Sequence, residues 1–158
     1  MYTLAKHIII AMLCVIVLVM AQASGLAATY YLSPTGNDTT GNGSLASPWF
    51  TLQRANQSAT PGTLVLVQPG TYNYSSTNTL SASGSSGGGY ITYAANGAVT
   101  LNFTNAGADG IDVTGSHVII DGFNITGVST PYTIYVSNAS DVQVRACNIV
   151  PPMMVSNS

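Results

Sequence analysis

Ile111-Asp112-Val113, Val118-Ile119-Ile120 and Phe123-Asn124-Ile125 return further along the chain as Ile134-Tyr135-Val136, Val142-Gln143-Val144 and Cys147-Asn148-Ile149. The first triplet recurs after 23 residues and the other two after 24. Each reads apolar-x-apolar, with Ile119 apolar as well, and Gly, Ser, Asn, Asp or Thr separate them. Alternation with a period of two marks strands that bury one face. Three very short strands per turn of chain, repeated turn after turn, cannot bury their inner sides alone and must stack on a neighbouring turn. The repeat therefore predicts an all-β parallel β-helix. Outer triplet residues point inward and middle ones outward, so Phe123 lies over Cys147, Ile125 over Ile149, Val113 over Val136, Asn124 over Asn148 and Asp112 over Tyr135.

Upstream of the repeat the pattern is sparser. Thr29-Tyr30-Tyr31-Leu32 reads as a strand, and Leu64-Val65-Leu66-Val67, closed by Pro69-Gly70, as a buried one. Ser47 as N-cap with Pro48 at the first helical position predicts a short capping helix with Leu52, Ala55 and Ala59 on one face, stopped by Pro61-Gly62. Residues Ser75 to Gly89 hold Leu80 as their only large aliphatic side chain and read as a loop or irregular excursion. Tyr90-Ile91-Thr92-Tyr93 and Val99-Thr100-Leu101 resume the strand pattern.

Residues 1–28 read as a secretory signal, with Lys6 in the charged region, an apolar run from Ile8 to Met20 and small residues after it. That run is 13 residues long, short of the roughly 20 needed to span a bilayer, so no membrane association is expected once the signal is cleaved. Residues 29–158 then hold two arginines, no lysine and five aspartates, a formal charge of −3. A nucleic-acid binder needs a basic stripe, and this composition excludes one. Cys14 would leave with the signal, and Cys147 falls on an inward position as a small hydrophobe rather than a reactive thiol. Seven Asn-x-Ser/Thr sites occur, as expected in a chain so rich in these residues.

Three stretches carry a family resemblance: Tyr30 to Asp38, Ser47 to Ala55 and Pro61 to Tyr72. Together with Gly110 to Val113 and Val118 to Gly127, they resemble the opening of secreted right-handed parallel β-helix proteins of the pectate-lyase-like superfamily. The resemblance covers nearly all of residues 29–158 and implies an N-terminal cap followed by the first coils of a longer solenoid. It also implies a secreted protein that engages polysaccharide, the full-length protein being a polysaccharide lyase or a glycoside hydrolase. The alternative is a non-catalytic cell-surface or adhesin-type solenoid.

Relatives that cleave acidic polysaccharides by β-elimination are implied to use a Lys or Arg base, often with calcium on acidic side chains. Here Arg145 is the only arginine in the coils, and an ion pair with Asp121 one coil earlier accounts for it. Asp109 and Asp112 could begin a calcium site, but that ion takes six to eight oxygens. Calcium is thus an expectation for the full-length protein only, and this stretch alone is expected to lack catalysis. His117 reads as a turn residue without a partner set. Tyr135, with Tyr132 just before it, and Asp112 are the candidate substrate-binding residues. An outward aromatic on a flat β-face can stack on a pyranose ring, although β-propensity alone also places Tyr there.

Overall fold

The computed structural model describes residues 27–104, 109–128 and 132–150. The expected signal segment, residues 1–26 of it, and the stretch after Val150 lie outside the described residues. Among the described residues, twelve strands wind into three parallel sheets. The first holds β1 (Thr29–Leu32), β2 (Leu64–Val67), β5 (Ile91–Ala95), β8 (Val118–Asp121) and β11 (Val142–Arg145). The second holds β3 (Gly70–Tyr74), β6 (Val99–Phe103), β9 (Asn124–Thr126) and β12 (Asn148–Ile149). The third holds β4 (Asn78–Leu80), β7 (Ile111–Val113) and β10 (Ile134–Val136). The chain visits the sheets in turn, so each coil adds one strand to each. This is the parallel β-helix that the repeat predicts, and the pairings expected within the repeat form in that register, except that Phe123 and Cys147 stand just before β9 and β12 rather than in them.

Alternation explains the core. Ile111, Val113, Val118, Ile120, Ile125 and Ile134 are fully buried, and Phe123 and Val136 nearly so. Each such side chain is worth roughly 1.5–3 kcal/mol relative to exposure, which is how three-residue strands hold. Ile119 is the exception to the pattern. It belongs to the outward rank but is only 7% exposed, between Thr92 of β5 and Gln143 of β11. In the last described coil Val142, Val144, Cys147 and Ile149 pack on the core from one side and stay partly exposed. Cys147 takes the inward place expected of it. Burial pushes its thiol upward in pKa, as suits a packing residue rather than a nucleophile.

The helix α1 spans Leu52–Asn56 and starts later than the sequence predicts. Thr51, not Ser47, is its N-cap, accepting from the Arg54 amide at 3.0 Å. The reason is tertiary: the Trp49 amide donates to the Tyr31 carbonyl, which holds this stretch extended along β1. Asp38 fixes the turn by accepting from the amides of Phe50 and Thr51 and from the Thr51 hydroxyl, at 2.7, 3.1 and 2.7 Å. Leu52 and Ala55 bury as expected, while Ala59 lies beyond the helix and packs at its margin.

The expected loop between Ser75 and Gly89 contains a strand. Within β4, Leu80 is fully buried and Asn78 nearly so. Asn78 has no apolar side chain to announce it, but its Oδ1 accepts from the Gln53 amide at 3.1 Å, an orphan donor of the first helical turn. Asn56 binds the other end of the helix to the coil. Its Oδ1 accepts from Ala82 N and Tyr93 Oη at 3.0 and 3.1 Å, and its Nδ2 donates to Ser81 Oγ at 3.3 Å. Two buried asparagines therefore fasten the cap to the solenoid, each with its side-chain oxygen satisfied as burial demands.

Candidate functional site

The outer face of the third sheet brings the two candidate residues together. Register places Tyr135 of β10 beside Asp112 of β7, and Asp112 beside Thr79 of β4. Adjacent strands lie about 4.8 Å apart, so the three side chains form one short outward rank. Asp109, just before β7, orders the approach to β10 by accepting from the Tyr132 amide at 3.0 Å. The Gly110 amide then donates to the Tyr132 carbonyl, and the Ile111 amide to the Thr133 carbonyl, both at 3.0 Å. The backbone so held sets Tyr132 against Tyr135, ring centroids 5.0 Å apart and planes within 14°.

Asp112 is the unusual member. Its Oδ1 is shielded from solvent and has no hydrogen-bond partner among the described residues. Desolvation, and then the charge of Asp109, raises its carboxyl above the ordinary carboxylate range. A shielded acceptor without a donor is a cost that the fold does not relieve, and such groups cluster at functional positions. Chemically, this face offers a stacked aromatic pair beside a carboxylate able to accept from a ligand hydroxyl.

Asp109 and Asp112 do not by themselves make a calcium site among the described residues. Asp109 already spends Oδ1 on Tyr132, and no group of three His, Cys, Asp or Glu side chains converges among the described residues. Two carboxylates fall far short of six to eight oxygens, so the donor set does not fit the ion.

On the first sheet, the expected Asp121–Arg145 pair is absent among the described residues, although register sets the two side by side. Arg145 turns along its own strand and donates from Nε and Nη2 to Gln143 Oε1, the former at 3.0 Å. Gln143 lies two residues away on the same face, so the guanidinium reaches it without crossing strands. His117 is not an isolated turn residue either. Its Nε2 stands 3.8 Å from Asp141 Oδ2, and its ring lies 5.7 Å from that of Tyr90, whose hydroxyl also donates to Asp141 Oδ2. That hydrogen bond is the main reason the Asp141 carboxyl lies below its ordinary pKa. Tyr90, His117 and Asp141 each immediately precede a first-sheet strand, a position that would have revealed the corner. Spacings of 27 and then 24 residues obscured it.

The outer face of the second sheet is a closed polar ladder. Asn148 donates to Asn124 Oδ1 at 2.8 Å and Asn124 to Thr100 Oγ1 at 3.3 Å. Beside them, Asn102 donates to Asn73 Oδ1 at 2.8 Å and accepts from Thr126 Oγ1 at 3.3 Å. The asparagine pair expected at Asn124 and Asn148 thus serves coil stacking.

Three parallel sheets, a capped first coil and side chains ranked by coil define the class: a parallel β-helix solenoid with an aromatic–carboxylate rank on one outer face. Residues 30–152 match the family described as "Pel9A-like, right handed beta helix region". The chain belongs to that family, and so to the pectate-lyase-like β-helix superfamily. Among solved structures it is similar to a rhamnogalacturonan lyase, with 22% identity and a TM-score of 0.62 over 73% of this chain and 34% of that one. It is also similar to pectate lyase Pel9A, with 24% identity and a TM-score of 0.45 over 73% of this chain and 40% of that one. The first likeness concerns the fold, and the chain spans well under half the length of both structures. No curated protein matches it.

Proposed function

We propose that this chain is the N-terminal part of a secreted polysaccharide-acting β-helix protein, and that the third-sheet face is where it holds polysaccharide. The observation that carries the reading is the Tyr132–Tyr135 stack, with the Asp112 carboxylate beside Tyr135 in the same outward rank. A pyranose ring laid on Tyr135 would bury its C–H face, and Asp112 would accept from a hydroxyl at the ring edge. Family membership supports polysaccharide as the partner, and the similar structure with the higher TM-score is named a rhamnogalacturonan lyase. Further coils would stack on β10, β11 and β12, where Val142, Val144 and Ile149 present partly exposed inner sides. Lyase chemistry in the full-length protein would belong to those coils.

Affinity electrophoresis of the whole chain through gels containing pectic polysaccharides tests the reading. Tyr135→Ala should weaken retardation about ten-fold, the scale of one aromatic contact together with its buried area. Wild-type retardation that survives both Tyr135→Ala and Asp112→Ala would place the polysaccharide elsewhere. No retardation by any glycan would move the non-catalytic adhesin-type solenoid ahead.

A further inference from the structure

We infer that the third-sheet face selects neutral sugar residues and disfavours uronates, an inference that rests on the polysaccharide-binding reading above. The first ground is the whereabouts of positive charge. Arg54 and Arg145 are the only arginines in the sequence, and the described residues contain no lysine. Arg54 is committed to the cap. Its Nε donates to the Asp38 carbonyl at 3.2 Å, its Nη1 to Ser58 Oγ at 3.1 Å, and its guanidinium lies 4.4 Å above the Trp49 ring. Arg145 belongs to β11 in the first sheet and bonds Gln143. His117 stands at the corner of that same sheet beside Asp141. Among the described residues, no cation faces the stacked tyrosines.

The second ground is what does face them. Asp112 stands beside Tyr135 in the rank, and Asp109, whose Oδ1 accepts from the Tyr132 amide at 3.0 Å, brings a second carboxylate to the tyrosines. A uronate on Tyr135 would bring a third carboxylate to this pair with no donor to receive it. One like-charge contact near 4 Å in water lowers affinity about five-fold, less as salt screens it. A neutral pyranose meets no such penalty, and its C–H face suits the tyrosine ring. Calcium could bridge two carboxylates in principle, but the donor set here does not fit it.

The test compares one backbone with and without its charge: polygalacturonate, free and fully methyl-esterified, titrated calorimetrically into the whole chain at low and high salt. The esterified polymer should bind about five-fold tighter at low salt, with the gap closing at high salt. Asp112→Asn should raise affinity for the free acid relative to the ester. Equal or tighter binding of the free acid at low salt overturns the inference but leaves the polysaccharide reading intact. Binding of the free acid that appears only with calcium chloride, and is lost in Asp112→Asn, overturns it as well. Failure of both polymers and of a neutral galactan to bind sinks the underlying reading instead.

Discussion

The second and third sheets are built from the same inward residues but differ on the outside. Leu101 and Ile125 fill the inner side of one, Ile111 and Ile134 that of the other, and all four are fully buried. Outside, the second sheet pairs amide with amide or hydroxyl from coil to coil. The third sheet ranks Thr79, Asp112 and Tyr135 in the same register, but Asp112 Oδ1 finds no donor. The geometry of a rung is therefore neutral about purpose. Short amide and hydroxyl side chains in the second sheet lie where each meets its neighbour, whereas in the third sheet neither Thr79 nor Tyr135 donates to Asp112 Oδ1, although both carry hydroxyls that could. A closed ladder glues coils, and an unfinished one leaves a buried acceptor uncompensated.

The largest expected effect tests the shared half of this comparison. Leu101→Ala and Ile111→Ala should each cost about 2–5 kcal/mol in urea unfolding, because both leave cavities in one continuous core. A loss in Ile111→Ala far below that in Leu101→Ala would mean that the third sheet is not anchored like the second.

Breaking the ladder comes next. Asn102→Ala removes bonds to both Asn73 and Thr126 and should cost about 1–2 kcal/mol while leaving glycan retardation unchanged. Loss of retardation with stability intact would reassign function to the second sheet.

Asp112→Asn should act in the opposite direction. Because the folded carboxyl has a raised pKa, the folded state holds its proton to higher pH than the unfolded chain does. Stability therefore falls as pH rises through that window, and the ionised group is a net cost at neutral pH. Removing the charge should stabilise the protein at pH 7 by less than about 1 kcal/mol, given solvent screening, with the gain fading in acid. A destabilised variant at pH 7 would show that Asp112 has a structural partner after all.

The smallest effect belongs to the first-sheet corner. Tyr90 holds the exposed Asp141 carboxyl below its ordinary pKa, so this stabilisation is present above the ordinary aspartate range and lost as pH falls through the lowered value. Tyr90→Phe should lower the melting temperature slightly at neutral pH and not at all in strong acid, a difference that thermal scans at both pH values would register.

Most of the coil architecture was legible because burial leaves a period-two imprint that no other chain geometry produces. Ile111-Asp112-Val113 and Ile134-Tyr135-Val136 could be aligned by eye, and their alignment already set Tyr135 beside Asp112. The strand Asn78–Leu80 was not legible, since one of its two inward residues is an asparagine whose burial depends on a helix amide 25 residues away. The helix start was hidden for a similar reason, because Ser47 and Pro48 satisfy every local rule and Trp49 is held extended by Tyr31.

Sequence by itself determined the solenoid, its register and its residue ranks, since those follow from local alternation repeated at a fixed interval. Only the tertiary structure decided which outward polar groups are satisfied. Satisfaction depends on the atoms that neighbouring coils bring within about 3 Å, and those distances are set by packing rather than by the order of residues along the chain. Asn124 with a partner and Asp112 without one look alike in sequence, and the fold alone separates them.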